Sequence, residues 1–221
     1  MEQMNKTWII IPANNEEKNI AEVVKKSKKF SEKVVVVDDG SQDKTLFIAE
    51  KSGAFVLKHI VNLGKGAALK TGCEYAVKKG AEKIVVLDAD GQHDPKEIPE
   101  FVKALDNVDI VFGYRRLNKK MPFVLRYGNW FIFFMTKLLF GLKIADTQCG
   151  YRSFTADAYN KIKWDAADYS MESEMIANAG KAHLKYSQIP IETIYSDKYK
   201  GTTVIDGIRI VLNMVWWRLT R

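Results

Sequence analysis

Residues 33–41 read Lys33-Val34-Val35-Val36-Val37-Asp38-Asp39-Gly40-Ser41, and residues 83–91 read Lys83-Ile84-Val85-Val86-Leu87-Asp88-Ala89-Asp90-Gly91. Each is a short apolar run that stops at acids and a glycine. Runs of that length bounded by turn residues fit strands buried on both faces. Thr7–Ile11, Ala54–Lys58 and Val108–Phe112 read the same way. Helical stretches lie between them. Asn14 or Asn15 is placed to cap a helix with Glu16 and Glu17 in its first turn, and Ile20, Val23, Val24 and Ser27 give it a buried stripe. A second helix is expected from Lys65 to Lys79, and Pro95 stands at another helix start. Strands alternating with helices predict an α/β fold, a mostly parallel sheet flanked by helices in a Rossmann-like arrangement.

In such sheets ligands bind outside the carboxyl ends of the strands. Three of those ends carry polar clusters here: Pro12–Glu17, Asp38–Asp43 and Asp88–Asp94. One crevice collecting all three is expected. After Ala145 the pattern loosens. Asp146–Phe154 reads as a loop leading into a short strand, Met171–Ala179 as a helix and Leu184–Ile194 as one or two strands. Tyr195–Thr203 is polar, and residues 204–221 form a C-terminal amphipathic helix. With no repeat and no linker, residues 1–221 read as one domain.

Lys and Arg total 34 against 27 acids, a formal charge of +7. From Ile110 to Ala145 there is no acid, while Arg115, Arg116, Lys119, Lys120, Arg126, Lys137 and Lys143 are all basic. Outside that segment bases and acids balance, so the whole excess is local. The segment also holds the apolar run Trp130–Leu142. Its aromatics are consecutive, not interleaved with bases as a nucleic-acid stacking platform requires, so nucleic acid is not expected as a partner. The run is shorter than the roughly 20 residues that span a bilayer. It fits either an interfacial helix or a buried core helix, and residues 110–145 are read as the membrane-facing part. No signal peptide and no spanning helix are expected, which places the chain peripherally on the cytoplasmic face of a membrane. Cys73 and Cys149 are too few for a disulfide scaffold or a zinc cluster and suit a reducing compartment.

Asp88, Asp90 and Gln92 alternate along one strand-end turn, so all three can present oxygen atoms to one side. That suits a hard divalent cation, and it equally suits a solvated acidic loop. Asp38–Asp43 makes a good turn and helix cap, or Asp39 accepts hydrogen bonds from a base. Asn62-Leu63-Gly64-Lys65-Gly66 looks like a helix N-terminus where glycines admit a ligand and Lys65 meets a phosphate or a base.

The motifs I-P-A-N-N-E-E, V-V-V-D-D-G-S-Q-D, N-L-G-K-G and V-L-D-A-D-G-Q-H-D-P occur in this order, each at a strand end. Together they resemble the family 2 glycosyltransferases of the GT-A fold. The later D-T-Q-C-G-Y-R-S-F and M-E-S-E-M narrow the resemblance to the dolichol-phosphate mannose and glucose synthase group, the polyprenyl-phosphate glycosyltransferases. The resemblance implies Pro12, Asn14 and Glu16 as a first nucleotide-contact motif, with Val37 and Asp39 flanking base and ribose. It implies Lys65 near the nucleotide and Ala89 touching the donor. Asp88, Asp90 and Gln92 become a site for Mg²⁺ or Mn²⁺. Arg115 and Arg126 meet the diphosphate or the acceptor phosphate, Asp146 faces the donor sugar or the acceptor, and Lys198 or Lys200 closes on the phosphates from a late loop. Asn14 stands where the family usually has an aromatic residue.

The resemblance thus implies inverting, metal-dependent transfer of a sugar from a GDP- or UDP-linked donor to a polyprenyl phosphate. A phosphate dianion needs no base to activate it. An alternative acceptor, a hydroxyl of a glycan or glycolipid, needs one, and Glu174 is the candidate. A nucleotide-binding scaffold without turnover is the third reading.

Overall fold

The computed structural model describes residues 2–115, 123–168, 170–192 and 204–220, with side chains described over 4–115, 131–168, 170–192, 211–218 and 220. Lys198, Lys200 and the stretch 195–203 lie outside the described residues, as does the side chain of Arg126.

Seven strands form one sheet: β1 (Thr7–Ala13), β2 (Val34–Asp39), β3 (Phe55–His59), β4 (Lys83–Val86), β5 (Ile110–Arg115), β6 (Arg152–Thr155) and β7 (Tyr186–Ile191). Their order is β3-β2-β1-β4-β6-β5-β7. Only β6 runs antiparallel, between β4 and β5. The expected α/β sheet is therefore present, and among the described residues the 184–192 segment supplies one strand.

Helices cover both faces: α1 (Ile20–Lys28), α2 (Thr45–Lys51), α3 (Lys65–Lys78), α4 (Ile98–Ala104), α5 (Phe123–Phe140), α6 (Ala156–Ile162), α7 (Met171–Lys181) and α8 (Val204–Thr220). Side chains alternate across a strand, so β1 feeds two cores. Trp8 and Ile10 join Val35, Val37, Leu69, Cys73 and Trp164 on the α3, α6 and α7 side. Ile9 and Ile11 join Val34, Val36, Val23 and Phe101 on the α1 and α4 side. A fully buried Ile or Val contributes about 1.5–3 kcal/mol, which explains why runs apolar on both faces carry the sheet.

The first helix departs from expectation. It begins at Ile20, preceded by Asn19, and neither Asn14 nor Asn15 caps it. Residues 15 and 16 are held against the β2 loop instead: Asn15 N–H donates to Ser41 Oγ (2.9 Å) and Glu16 N–H to Thr45 Oγ1 (2.7 Å). Asn15 sits at φ +56°, a left-handed conformation incompatible with a helix start. Glu16 and Glu17 therefore precede the helix.

The apolar run is helical as far as Phe140, the end of α5, and the helix has a buried side and an exposed side. Ile132, Phe140, Met214 and Trp217 form a third buried cluster with Ala177 of α7. Phe131, Phe134 and Leu138 of α5 and Leu212, Val215 and Trp216 of α8 face outward and are exposed. Among the described residues no helix is long and apolar enough to cross a membrane.

Candidate functional site

The carboxyl ends of β1, β2 and β4 open into one cleft of about 460 Å³, lined by Pro12, Ala13, Asn14, Glu16, Asp39, Asn62, Gly64, Lys65, Ala68, Asp88, Ala89, Asp90 and Asp168. Parallel pairing creates it. Pro12 is in register with Val37 and Ala13 with Asp38, so the two loops leave the sheet side by side. Asn14 Nδ2 donates to the Asp39 carbonyl (2.7 Å), and Asn15 Oδ1 accepts from Gln42 N–H (2.9 Å).

The cleft thus gathers Pro12, Asn14, Glu16, Asp39, Lys65, Asp88, Ala89 and Asp90 from the expected set. It does not gather Val37, whose side chain is fully buried in the core below. Gln92 is absent from the cleft wall as well. Its backbone N–H donates to Asp90 Oδ1 (3.0 Å) and shapes the turn.

The Asp39 carboxylate is already engaged. Oδ1 accepts from Leu63 N–H (2.9 Å) and faces His59 Nδ1 (2.7 Å), and Oδ2 accepts from Gly64 N–H (2.8 Å).

The α3 N-terminus also differs from expectation. Gly66 N–H donates to the Ala167 carbonyl (2.7 Å). A Cβ on Gly66 would lie 2.2 Å from the Ala166 carbonyl oxygen, so the glycine admits the chain's own 165–168 loop. That docking brings Asp168 into the cleft.

Lys65 reaches across to two acids, Asp88 Oδ1 at 2.7 Å and Glu172 Oε1 at 2.9 Å. Burial alone would lower the Lys65 pKa; the charges of Asp88 and Glu172 overcome it and hold the ammonium above its usual value. Burial would likewise raise Asp88, and Lys65 outweighs it and holds that carboxyl below the carboxylate range. Asp90 goes the other way. Burial and the neighbouring Asp88 charge raise its pKa, and the Gln92 N–H offsets this only in part. Two carboxylates two residues apart are thus driven in opposite directions. His93 is buried beside them and pushed down to about 4, chiefly by burial, so it is neutral at pH 7.

Arg115, at the end of β5, forks onto Asp146: Nε donates to Oδ2 (2.6 Å) and Nη2 to Oδ1 (3.1 Å). Burial would raise Asp146, and the Arg115 hydrogen bond and charge hold it below its usual value. This pair stands beside the Asp88 end, where the Arg115 charge also acts on Asp88 and His93. Behind it, the fully buried Arg152 donates to the carbonyls of Cys149 (3.0 Å), Thr147 (2.8 Å) and Glu172 (2.8 Å). One guanidinium therefore ties the Asp146 loop to the start of α7. A Cβ on Gly150 would sit 2.4 Å from Asp88 Oδ2, so that loop lies directly against the acid. Cys149 is buried, and its thiol is pushed up to about 12, first by burial, which excludes an activated thiolate.

Glu174 does not face the cleft. Its Oε2 accepts from Asp165 N–H (3.1 Å) and Ala166 N–H (2.9 Å), which fixes the 165–168 loop. Glu172, not Glu174, is the acid of Met171-Glu172-Ser173-Glu174 that reaches the site. Residues i and i+2 of a helix point to different sides, so the motif signals one inward acid without saying which. Asp168 and Arg152 carry no sequence signal of their own role.

A mostly parallel sheet covered on both faces, with an Asp-x-Asp turn at the mouth of a strand-end cleft, matches the GT-A fold. The chain belongs to glycosyl transferase family 2, whose family model matches residues 8–163. It is 32% identical over 240 residues to UDP-N-acetylglucosamine–dolichyl-phosphate N-acetylglucosaminyltransferase of Methanococcus voltae, covering 96% of each chain. It is 28% identical over 201 residues to the undecaprenyl-phosphate mannosyltransferase of Micrococcus luteus, covering 84% of this chain and 82% of that one. In fold it matches glucosyl-3-phosphoglycerate synthase of Mycobacterium tuberculosis, solved with Mg²⁺ and UDP. The TM-score is 0.76 at 19% identity, over 97% of this chain and 79% of that one.

Proposed function

We propose that this glycosyltransferase moves a sugar from a GDP- or UDP-linked donor to a polyprenyl phosphate at the cytoplasmic face of a membrane. The observation that carries the reading is the convergence of three strand-end motifs on one cleft beside an arginine clamped by Asp146. The relatives named for dolichyl and undecaprenyl phosphate support the acceptor class.

The residues fit a hard divalent cation, Mg²⁺ or Mn²⁺. Asp88 and Asp90 both line the cleft and offer oxygen donors, and the Asp90 carboxyl is held above its ordinary value first by burial and then by the Asp88 charge, a cost that a bound cation offsets. Among the described residues no group of three His, Cys, Asp or Glu side chains is placed to hold an ion alone. Such cations commonly take one or two carboxylates and complete their shell with substrate phosphates and water. Asp88 and Asp90 would hold it, with the Gln92 backbone N–H shaping the turn that carries Asp90, and when bound it would supply neutralisation of the diphosphate leaving group.

The protein's own part is positioning. The Pro12, Asn14 and Asp39 end receives the nucleoside, and Ala89 lies under the donor. Arg115, oriented by Asp146, meets phosphate charge together with Arg126 and Lys200. A phosphate oxygen of the acceptor attacks the anomeric carbon as the bond to the diphosphate breaks, inverting that centre. No residue need remove a proton. That agrees with the engagement of Glu174, the base named for a hydroxyl acceptor, by the 165–168 loop.

The exposed faces of α5 and α8 rest on the bilayer surface, so the lipid phosphate arrives while its chain stays in the membrane. The decisive assay is a panel of nucleotide sugars with Mg²⁺ or Mn²⁺ and a short polyprenyl phosphate, read out as lipid-linked sugar. No product from any donor sinks the reading. Sedimentation with anionic vesicles tests the surface, and replacing Phe134, Leu138 and Trp216 by serine is expected to abolish it.

A further inference from the structure

One wall of the cleft is a loop that the catalytic reading does not use. Residues 60–64 follow the edge strand β3, and Asn62 and Gly64 line the cleft. The loop makes no strand or helix of its own, and Ile60 and Val61 in it are exposed. Its conformation is set instead by one buried carboxylate. Asp39 takes the Leu63 and Gly64 N–H groups (2.9 and 2.8 Å). His59, the last residue of β3, takes the same carboxylate through Nδ1 (2.7 Å), and its Nε2 pairs with Thr71 Oγ1 of α3 (3.0 Å). The His59 and Asp39 side chains are only 11% and 4% exposed, so these bonds are shielded from water.

We propose that His59 is a positioning residue for nucleobase recognition, holding Asp39 and the 60–64 loop as the wall that reads the base. This rests on the reading that the cleft binds the donor nucleotide. The chemistry follows from counting. A carboxylate offers about four acceptor positions, and three are taken within the protein, which leaves one on Oδ2. The Asn62 Oδ1 accepts from Gly64 N–H (3.0 Å), so the amide's N–H groups are what that side chain offers the cleft. One acceptor beside one donor is the complement of a base edge that pairs an N–H with a carbonyl or ring nitrogen. Because the carboxylate accepts only, His59 Nδ1 carries a proton and Thr71 fixes the ring from behind. Removing that donor lets the carboxylate turn and the loop move with it, which blurs which base fits.

The test compares two replacements of near-equal size. Asparagine places an amide N–H where imidazole Nδ1 sits, and glutamine places one where Nε2 sits. Binding of UDP, GDP, ADP and CDP to the full chain is measured by calorimetry with Mg²⁺ and no acceptor, alongside thermal melts. His59→Gln is expected to weaken the preferred diphosphate about tenfold, equivalent to about 1.4 kcal/mol, and to narrow the spread among the four bases. His59→Asn is expected to keep affinity within about threefold and to keep the spread, since it retains the hydrogen bond to the charged acceptor. Thr71→Val, which removes only the rear contact, is expected to fall between them.

A merely structural role lowers the melting temperature in both variants and leaves the base preference as it was. That outcome overturns the proposal, as does a His59→Gln variant that binds like the wild type. Wild-type protein that binds none of the four diphosphates overturns this inference together with the donor reading. Wild-type protein that binds a diphosphate selectively yet yields no lipid-linked sugar sinks the transferase reading alone.

Discussion

Lys65 carries the heaviest electrostatic duty in the cleft, and its removal gives the sharpest test of the site's construction. Its ammonium lies 2.7 Å from Asp88 and 2.9 Å from Glu172, and the Glu172 side chain is only 4% exposed. At an effective dielectric of about 20, each contact is worth roughly 6 kcal/mol before the cost of desolvating the charges. The net value of such a cluster is far smaller, but truncating one member strands the others. Lys65→Met removes the cation paired with Glu172 Oε1, on a side chain whose other oxygen has no hydrogen-bond partner already. The expected loss is about 3–5 kcal/mol, a large share of the 5–15 kcal/mol typical of a folded domain. Urea unfolding at pH 7 in EDTA measures it, with a constant slope as the check on two-state behaviour. In Lys65→Met/Glu172→Gln one of the two stranded charges is gone, so the double variant should be less destabilised than the sum of the two singles by about 0.5–3 kcal/mol. A single variant within about 1 kcal/mol of the wild type, or strict additivity, refutes the view that Lys65 compensates these acids.

Three further outcomes follow from the same geometry. Gly150→Ala drives a methyl into Asp88 Oδ2, 2.4 Å away, and should cut transfer at least tenfold while the melting temperature falls modestly; turnover within twofold of wild type contradicts the contact. Asp90→Asn should raise the melting temperature at pH 7 in EDTA while abolishing transfer, because the folded protein holds that carboxyl above its ordinary value and its ionisation costs stability. The cost is absent below the unfolded value of about 3.9 and sets in as pH rises through the folded one, so the gain should vanish in melts near pH 4 and appear by pH 7. Cys149, pushed up to about 12, and Cys73, also raised by burial, should resist a thiol-titrating disulfide reagent in the native state and react only on unfolding.

Some of this was legible in the chain and some was not, for identifiable reasons. The valine and isoleucine runs announced the strands, since a β-branched run between turns has few other homes. The acids after β2 and β4 announced the cleft, because parallel strands deliver their carboxyl ends to one edge. The start of α1 was misplaced because Asn15 and Glu16 are bound by Ser41 and Thr45, partners 26 and 29 residues away. Local capping preference cannot weigh such partners. The apolar segment of α5 was ambiguous because a helix has two sides. Ile132 and Phe140 face α7 and α8, while Phe131, Phe134 and Leu138 face out.

Sequence alone determined the sheet, its strand-end chemistry and the family, because those properties reside in runs and motifs a few residues long. Tertiary structure decided which charges meet. It put Lys65 between Asp88 and Glu172, turned Glu174 away to brace a loop, locked Arg115 onto Asp146 and enclosed Asp39 with His59. The physical reason is distance. Ion pairs and buried hydrogen bonds act over a few ångströms, and these partners lie from 8 to 107 residues apart along the chain. Only the folded sheet and its docked loops bring them within that range.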